Sequence, residues 1–177
     1  KDRFGRPGLI KVLEQLSMQF EQNHEKVVSV SENIVNTLSQ NESPSEGLSE
    51  DVIKECFDHF SKTFDERYGG CGSEPKFPAP HQWMFLLRYH KWQEDDEALS
   101  MVIKTLDAMA DGGIYDHIGY GFSRYSVDQK WLAPHFEKML YDNAMLAIAY
   151  TEGYQLIGNS RYQQIVDEIL TYVSRDM

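Results

Sequence analysis

Leu9, Leu13, Leu16, Phe20, Val27, Ile34 and Leu38 recur at the three- and four-residue steps of a helix face, behind a proline at Pro7 that suits a first helical position. The pattern predicts one long helix, or two abutting helices, over the first forty residues. The Ser/Pro/Gly/Asn-rich stretch NESPSEGLS, residues 41 to 49, then reads as a linker. Ser49 caps the next helix, Glu50 and Asp51 favour its positive end, and Ile53, Phe57, Phe60 and Phe64 form its stripe up to about Asp65. Trp83, Leu86, Leu87 and His90 mark a short helix, and Leu99, Val102, Leu106 and Met109 another that begins near Asp95 and stops at Gly112 and Gly113. A further helix is predicted from Pro134 or His135 to about Ile157, ended by Gly158 and Asn159. Ser160 with Gln163 then reads as the capping box of the last helix.

Strand signals are poor throughout. The chain therefore reads as all-α, built of hairpins whose connections are long at alternate junctions, as in a helical toroid. The long connections are DERYGGCGSEPKFPAP, residues 65 to 80, and GGIYDHIGYGFSRYSVDQKWLAP, residues 112 to 134. Loops of this length inside a compact domain are uncommon and tend to be functional, and the aromatic content of the second argues for order.

Composition narrows the partners. With 41% hydrophobic residues in 177, the chain can build a real core, and a net charge of -11 opposes nucleic acid and anionic membrane surfaces. The apolar run from Ala144 to Tyr150 is far shorter than the roughly 20 residues that span a bilayer. Cys56 and Cys71 stand in no metal or disulfide spacing, which favours a reducing, intracellular compartment and predicts no metal and no cofactor. The chain begins at Lys1 rather than Met and ends in a helical pattern without a cap, so it reads as a fragment whose targeting is open. The sequon Asn41-Glu42-Ser43, followed by Pro44, carries little weight.

The candidate chemistry gathers around WLAPHFEKMLYDNA, residues 131 to 144. Buried polar groups are costly unless partnered, so a polar cluster leading into a core helix is either a satisfied network or the wall of a site. On a helix starting at Pro134, the residues His135, Lys138 and Asp142 share one face, while Glu137 and Tyr141 point the other way. A histidine at such a helix start would keep a neutral ring free to accept a proton. The preceding loop adds Asp116, His117, Arg124 and Asp128 among Tyr115, Tyr120, Tyr125 and Trp131. Aromatic faces beside carboxylates and an arginine suit a sugar, stacking on its CH face and bonding its hydroxyls. Paired carboxylates would serve glycoside hydrolysis and paired histidines proton transfer next to a carbonyl; spacing leaves both open. The catalytic candidates are thus His135, His117, Asp116 and Asp142, with Arg124, Tyr115, Tyr125, Trp131, Lys138, Glu137 and Tyr141 as binding residues. His135-Phe136-Glu137 matches the H-x-E of zinc deaminases, but the partner P-C-x-x-C is missing. Gly69-Gly70-Cys71-Gly72 lacks the pattern of a phosphate loop, and Cys71 lacks a base that would make it a nucleophile.

GRPGL at 5 to 9, YGGCGSEPKFPAP at 68 to 80, GGIYDHIGYGFSRYSVD at 112 to 128 and WLAPHFEKMLYDNA at 131 to 144 closely resemble the spermatogenesis-associated protein 20 family and its bacterial YyaL-type relatives. The resemblance implies a thioredoxin-like domain followed by an (α/α)6 toroid of the six-hairpin glycosidase and N-acylglucosamine 2-epimerase type. It makes residues 1 to 40 the tail of the upstream domain or a connecting helix, 41 to 48 a linker, and 49 to 177 the first part of the toroid. It departs from the family at Ser123, where a histidine is usual, at Cys71 in place of Phe, and at Glu74 in place of Ala. The function implied is a carbohydrate-active domain, an epimerase, isomerase or glycosidase, linked by the family to spermatogenesis or fertility. The alternative is a noncatalytic ligand-binding or assembly module. The expected partners are a carbohydrate, the upstream domain and the missing half of the toroid, with self-association of the fragment through its uncovered inner-ring surface.

Overall fold

The computed structural model describes residues 7–40 and 49–177. The linker 41–48 and its sequon, and the first residues of the GRPGL motif, lie outside the described residues. The chain divides into two units, residues 1–48 and 49–177. In the first, helix α1 (Leu9–Gln22) and helix α2 (His24–Gln40) are separate, because Asn23 leaves the helical region at φ -131° and its N–H closes on the Gln19 carbonyl. Of the two readings of this stretch, abutting helices is the one found. Pro7 lies outside the helix, whose N-cap is Gly8.

The second unit runs through α3 (Glu50–Thr63), α4 (Pro80–Gln93), α5 (Asp96–Asp111), a ribbon of β1 (Tyr125–Ser126) and β2 (Pro134–His135), α6 (Leu140–Ile157) and α7 (Ser160–Asp176). Side-chain caps fix three of the helix starts. Ser49 Oγ accepts from the Asp51 N–H, Asp95 Oδ1 from Ala98, and Asn159 Oδ1 from Arg161. The last helix is thus capped by Asn159 and not by Ser160. Gly158 ends α6 at φ 67°, a left-handed conformation that glycine adopts without strain.

Helix α4 packs on α5 and α6, and α6 on α7, so that Trp83, Leu86, Val102, Leu106, Leu146, Tyr150, Tyr162 and Ile169 are fully buried between them. Each such side chain contributes roughly 1.5–3 kcal/mol. Tyr150 brings a hydroxyl into this core and donates it to the Leu106 carbonyl at 2.7 Å. Leu146, Ala149 and Tyr150 are buried, whereas Ala144 and Ile148 of the same apolar run face solvent.

One expectation fails here. Within the all-α fold a two-residue ribbon forms, in which Tyr125 pairs antiparallel with His135 and Ser126 with Pro134. As a result α6 begins at Leu140, not at Pro134 or His135. Pro134 and His135 are extended, so no helix dipole acts on His135 and no helical face joins it to Lys138 and Asp142. Among the described residues no helix is long and apolar enough to cross a membrane.

Candidate functional site

The loops before α4 and α6 are locked together. Lys76 and Ser126 exchange both backbone hydrogen bonds at 2.8 Å. Lys76 is fully buried, and its ammonium donates to Asp65 Oδ2 at 2.6 Å, the Gly69 carbonyl at 2.7 Å and the Gln129 carbonyl at 3.1 Å. It also lies 5.2 Å from the centre of the Trp131 ring. Asp65 in turn accepts from the N–H groups of Arg67 and Tyr68. Burial would raise the Asp65 carboxyl, but the Lys76 ammonium and these two amides outweigh it and hold the group below its usual range. Trp131, expected to contact substrate, is instead a fully buried member of this knot, donating its indole N–H to the Tyr68 carbonyl at 2.9 Å. Asp128 orders the same turn, accepting from Lys130, Leu132 and Ala133.

The second loop folds onto itself around Asp116. Its Oδ1 accepts from Ile118 and Gly119, and its Oδ2 from the Lys138 ammonium at 2.8 Å. The Lys138 bond, followed by the Gly119 amide, brings the carboxyl down to about 2. An acid that stays ionised with both oxygens engaged has no proton to donate at neutral pH. Lys138 also donates to the Tyr120 carbonyl, so it forms no pair with Asp142. His117 sets Nε2 at 3.1 Å from the Gly112 carbonyl, and Tyr115, driven far up by burial, bonds through its hydroxyl to Glu168. Tyr115, Asp116, His117 and Lys138 line a groove of about 660 Å³ with Ser123, Pro134, Phe136 and Tyr172.

His135 and Glu137, which alternate with the groove-lining Pro134, Phe136 and Lys138, do not line it. His135 stacks on Tyr125 with centroids 4.7 Å apart and planes at 23°, and Phe77 lies 5.0 Å beyond Tyr125. Among the described residues neither His135 ring nitrogen has a hydrogen-bond partner. Arg124 reaches Glu137 at 3.4 Å and also acts on the Asp142 carboxyl. Burial raises that carboxyl, partly opposed by the charges of Arg124 and of His81, the second residue of α4. Tyr141 is half exposed on the first turn of α6.

The sequence candidates therefore fall into three places: Tyr115, Asp116, His117 and Lys138 in the groove, Trp131 in the knot, and Arg124, Tyr125, His135, Glu137, Tyr141 and Asp142 about the ribbon and the α6 start. Phe77 and His81 were missed. A signal for His81 existed, since both long loops end in the same tripeptide, Ala79-Pro80-His81 and Ala133-Pro134-His135. Among the described residues no three His, Cys, Asp or Glu side chains form a metal-holding group.

No protein-family model matches the chain. Over its whole length it is 38% identical to spermatogenesis-associated protein 20 of Homo sapiens and 36% to that of Mus musculus, in each case spanning 24% of the relative's length. An uncharacterised protein of Caenorhabditis elegans is 34% identical over 98% of the chain, which spans 25% of that relative. Among solved structures, a cellobiose 2-epimerase from Bacillus thermoamylovorans superposes with a TM-score of 0.59 at 15% identity, covering 72% of this chain and 38% of that one. At that identity the likeness shows the fold alone, and the fold is that of part of an (α/α)6 toroid.

Proposed function

From a chain that belongs to the spermatogenesis-associated protein 20 family and spans about a quarter of its members' length, we infer that residues 49 to 177 supply one wall of a carbohydrate-binding site. The observation that carries this reading is the His135 ring, held in a stack on Tyr125 with both nitrogens unpartnered, beside Phe77 and the Arg124–Glu137 pair. Aromatic faces accept the CH face of a pyranose, and the surrounding charged and imidazole groups accept and donate to its hydroxyls. The cellobiose 2-epimerase fold supports a sugar as the ligand class. In an epimerase, isomerase or glycosidase, the acid/base work would fall to His135 and Asp142. Asp116, spent on loop bonds, would take no part.

On the same reading, residues 1 to 40 are the tail of an upstream thioredoxin-like domain or a connecting helix, and the remaining hairpins of the toroid complete the site. A role in spermatogenesis or fertility comes from the relatives' name and belongs to this proposal. A noncatalytic module is the second reading, favoured by how many of the charged loop residues, Lys76, Asp116, Asp128 and Lys138 among them, are consumed in holding the loops.

The test is a thermal-shift titration with hexoses, N-acyl hexosamines, uronic acids and short oligosaccharides. Ligand at 100 times its dissociation constant adds about 2.7 kcal/mol, so a weak sugar registers at millimolar concentration. His135→Ala, at an exposed position, is expected to abolish the shift while leaving the unliganded melting temperature unchanged. A sugar that stabilises the variant as much as the parent would place binding elsewhere.

A further inference from the structure

The groove of about 660 Å³ falls within the usual size range of small-ligand sites, and two of its lining residues are unusually exposed for apolar side chains, Ile118 at 92% and Phe136 at 86%. Its charges are already neutralised. Asp116 has both oxygens occupied, and the Lys138 ammonium gives its protons to Asp116 and the Tyr120 carbonyl while lying 4.5 Å from the centre of the Tyr172 ring. The Tyr115 hydroxyl is taken by Glu168. A charged ligand would find no counter-charge free to meet it.

Two neutral groups remain. Ser123 is only 4% exposed yet lines the groove, and its hydroxyl has no hydrogen-bond partner among the described residues. Its oxygen opens into the groove, where a ligand group can reach it. On His117, the Nε2 facing the Gly112 carbonyl must carry the proton, because a carbonyl only accepts; in the neutral ring Nδ1 is then a free acceptor. A hydroxyl donor and a ring-nitrogen acceptor in one groove complement the C=O and N–H of an amide. The lips at Ile118 and Phe136 suit an apolar side chain attached to it.

We propose that this groove binds a neutral peptide segment that presents an apolar side chain between Ile118 and Phe136 and its backbone amide to Ser123 and His117. It is separate from the ribbon face assigned to carbohydrate and stands without that assignment.

The experiment is an amide-resolved NMR titration of the 177-residue chain with N-acetyl-L-leucinamide, with N-acetylglucosamine as an amide lacking the apolar side chain. The leucinamide is expected to move the signals of residues 113 to 123, 136 and 138, and the sugar to leave them in place. Ile118→Ala and Phe136→Ala, at positions too exposed to affect folding, should each weaken binding roughly tenfold or more. Ser123→Ala, which removes one oxygen without adding bulk, should weaken it as well, and His135→Ala should not. Unmoved groove signals at tens of millimolar leucinamide, an equal response to the sugar, or full affinity in both lip variants would each overturn the proposal.

Discussion

Replacing Lys76 with Met tests whether the two long loops are held by one buried ammonium. The substitution keeps the length and apolar stem of the side chain and deletes three hydrogen bonds, to Asp65 Oδ2, the Gly69 carbonyl and the Gln129 carbonyl. It leaves the Asp65 carboxylate, whose side chain is only 17% exposed, without its cation. Removing one partner of a buried pair costs about 3–5 kcal/mol. The Asp65 side chain keeps its bonds from the Arg67 and Tyr68 amides, which places the expected loss toward the lower end, near 3 kcal/mol. Urea unfolding followed by circular dichroism would report it as a lower midpoint at unchanged slope. Asp65→Asn combined with Lys76→Met removes the stranded charge while retaining an oxygen for the two amides, so the double variant should be more stable than Lys76→Met alone. A loss below 1 kcal/mol in the single variant, or a double variant no better than the single, would refute the idea that the ammonium is the lock.

Asp116 predicts an acid-dependent stability. Its carboxyl falls from an ordinary 3.8 to about 2 on folding, so its contribution is fully present above about pH 4 and is lost as the pH drops toward 2. The unscreened value would be about 2.4 kcal/mol, but the side chain is 39% exposed, and solvent screening reduces this to about 1 kcal/mol; Asp116→Asn should flatten the stability profile across that window by this amount. Asn143→Ala should cost about 3 kcal/mol in urea unfolding, because the fully buried amide accepts from the Phe122 N–H at 2.7 Å and donates to the Phe122 and Met139 carbonyls at 3.0 Å. Ala79, just before α4, sits at φ 42° and ψ 53°, so Ala79→Gly should raise the urea midpoint by the equivalent of about 1 kcal/mol.

The helices were legible wherever periodic stripes met local caps. Ser49, Asp95 and Gly112 stand at the boundaries their chemistry implies, and α5 buries Val102, Leu106 and Met109 as its stripe requires. The start of α6 was not legible, because PHFEKM is compatible with a helix by local preference, while pairing with Tyr125 and Ser126, distant in sequence, draws Pro134 and His135 into a strand. Lys76 escaped notice for a related reason: lysine is almost never fully buried unless paired, and its partners lie 7, 11 and 53 residues away.

The same ribbon explains why one short stretch carries so much hydrogen-bonding chemistry before turning into core. A helix would have gathered His135, Lys138 and Asp142 on one face. The two-residue strand and the irregular segment that follows it instead put Pro134, Phe136 and Lys138 on the groove while His135 and Glu137 meet Tyr125 and Arg124. Neither set is free to drift, since the ribbon is tied to the first loop through the Lys76–Ser126 bridge and to α6 through Asn143, which accepts from the Phe122 amide and donates to the Phe122 and Met139 carbonyls. Binding groups positioned before a ligand arrives lose less entropy on binding. On the carbohydrate reading proposed above, the charged residues that fasten the loops would act on recognition indirectly: breaking the lock at the fully buried Lys76 should weaken the proposed sugar binding at His135 in proportion to the loop order lost rather than to any contact with the sugar.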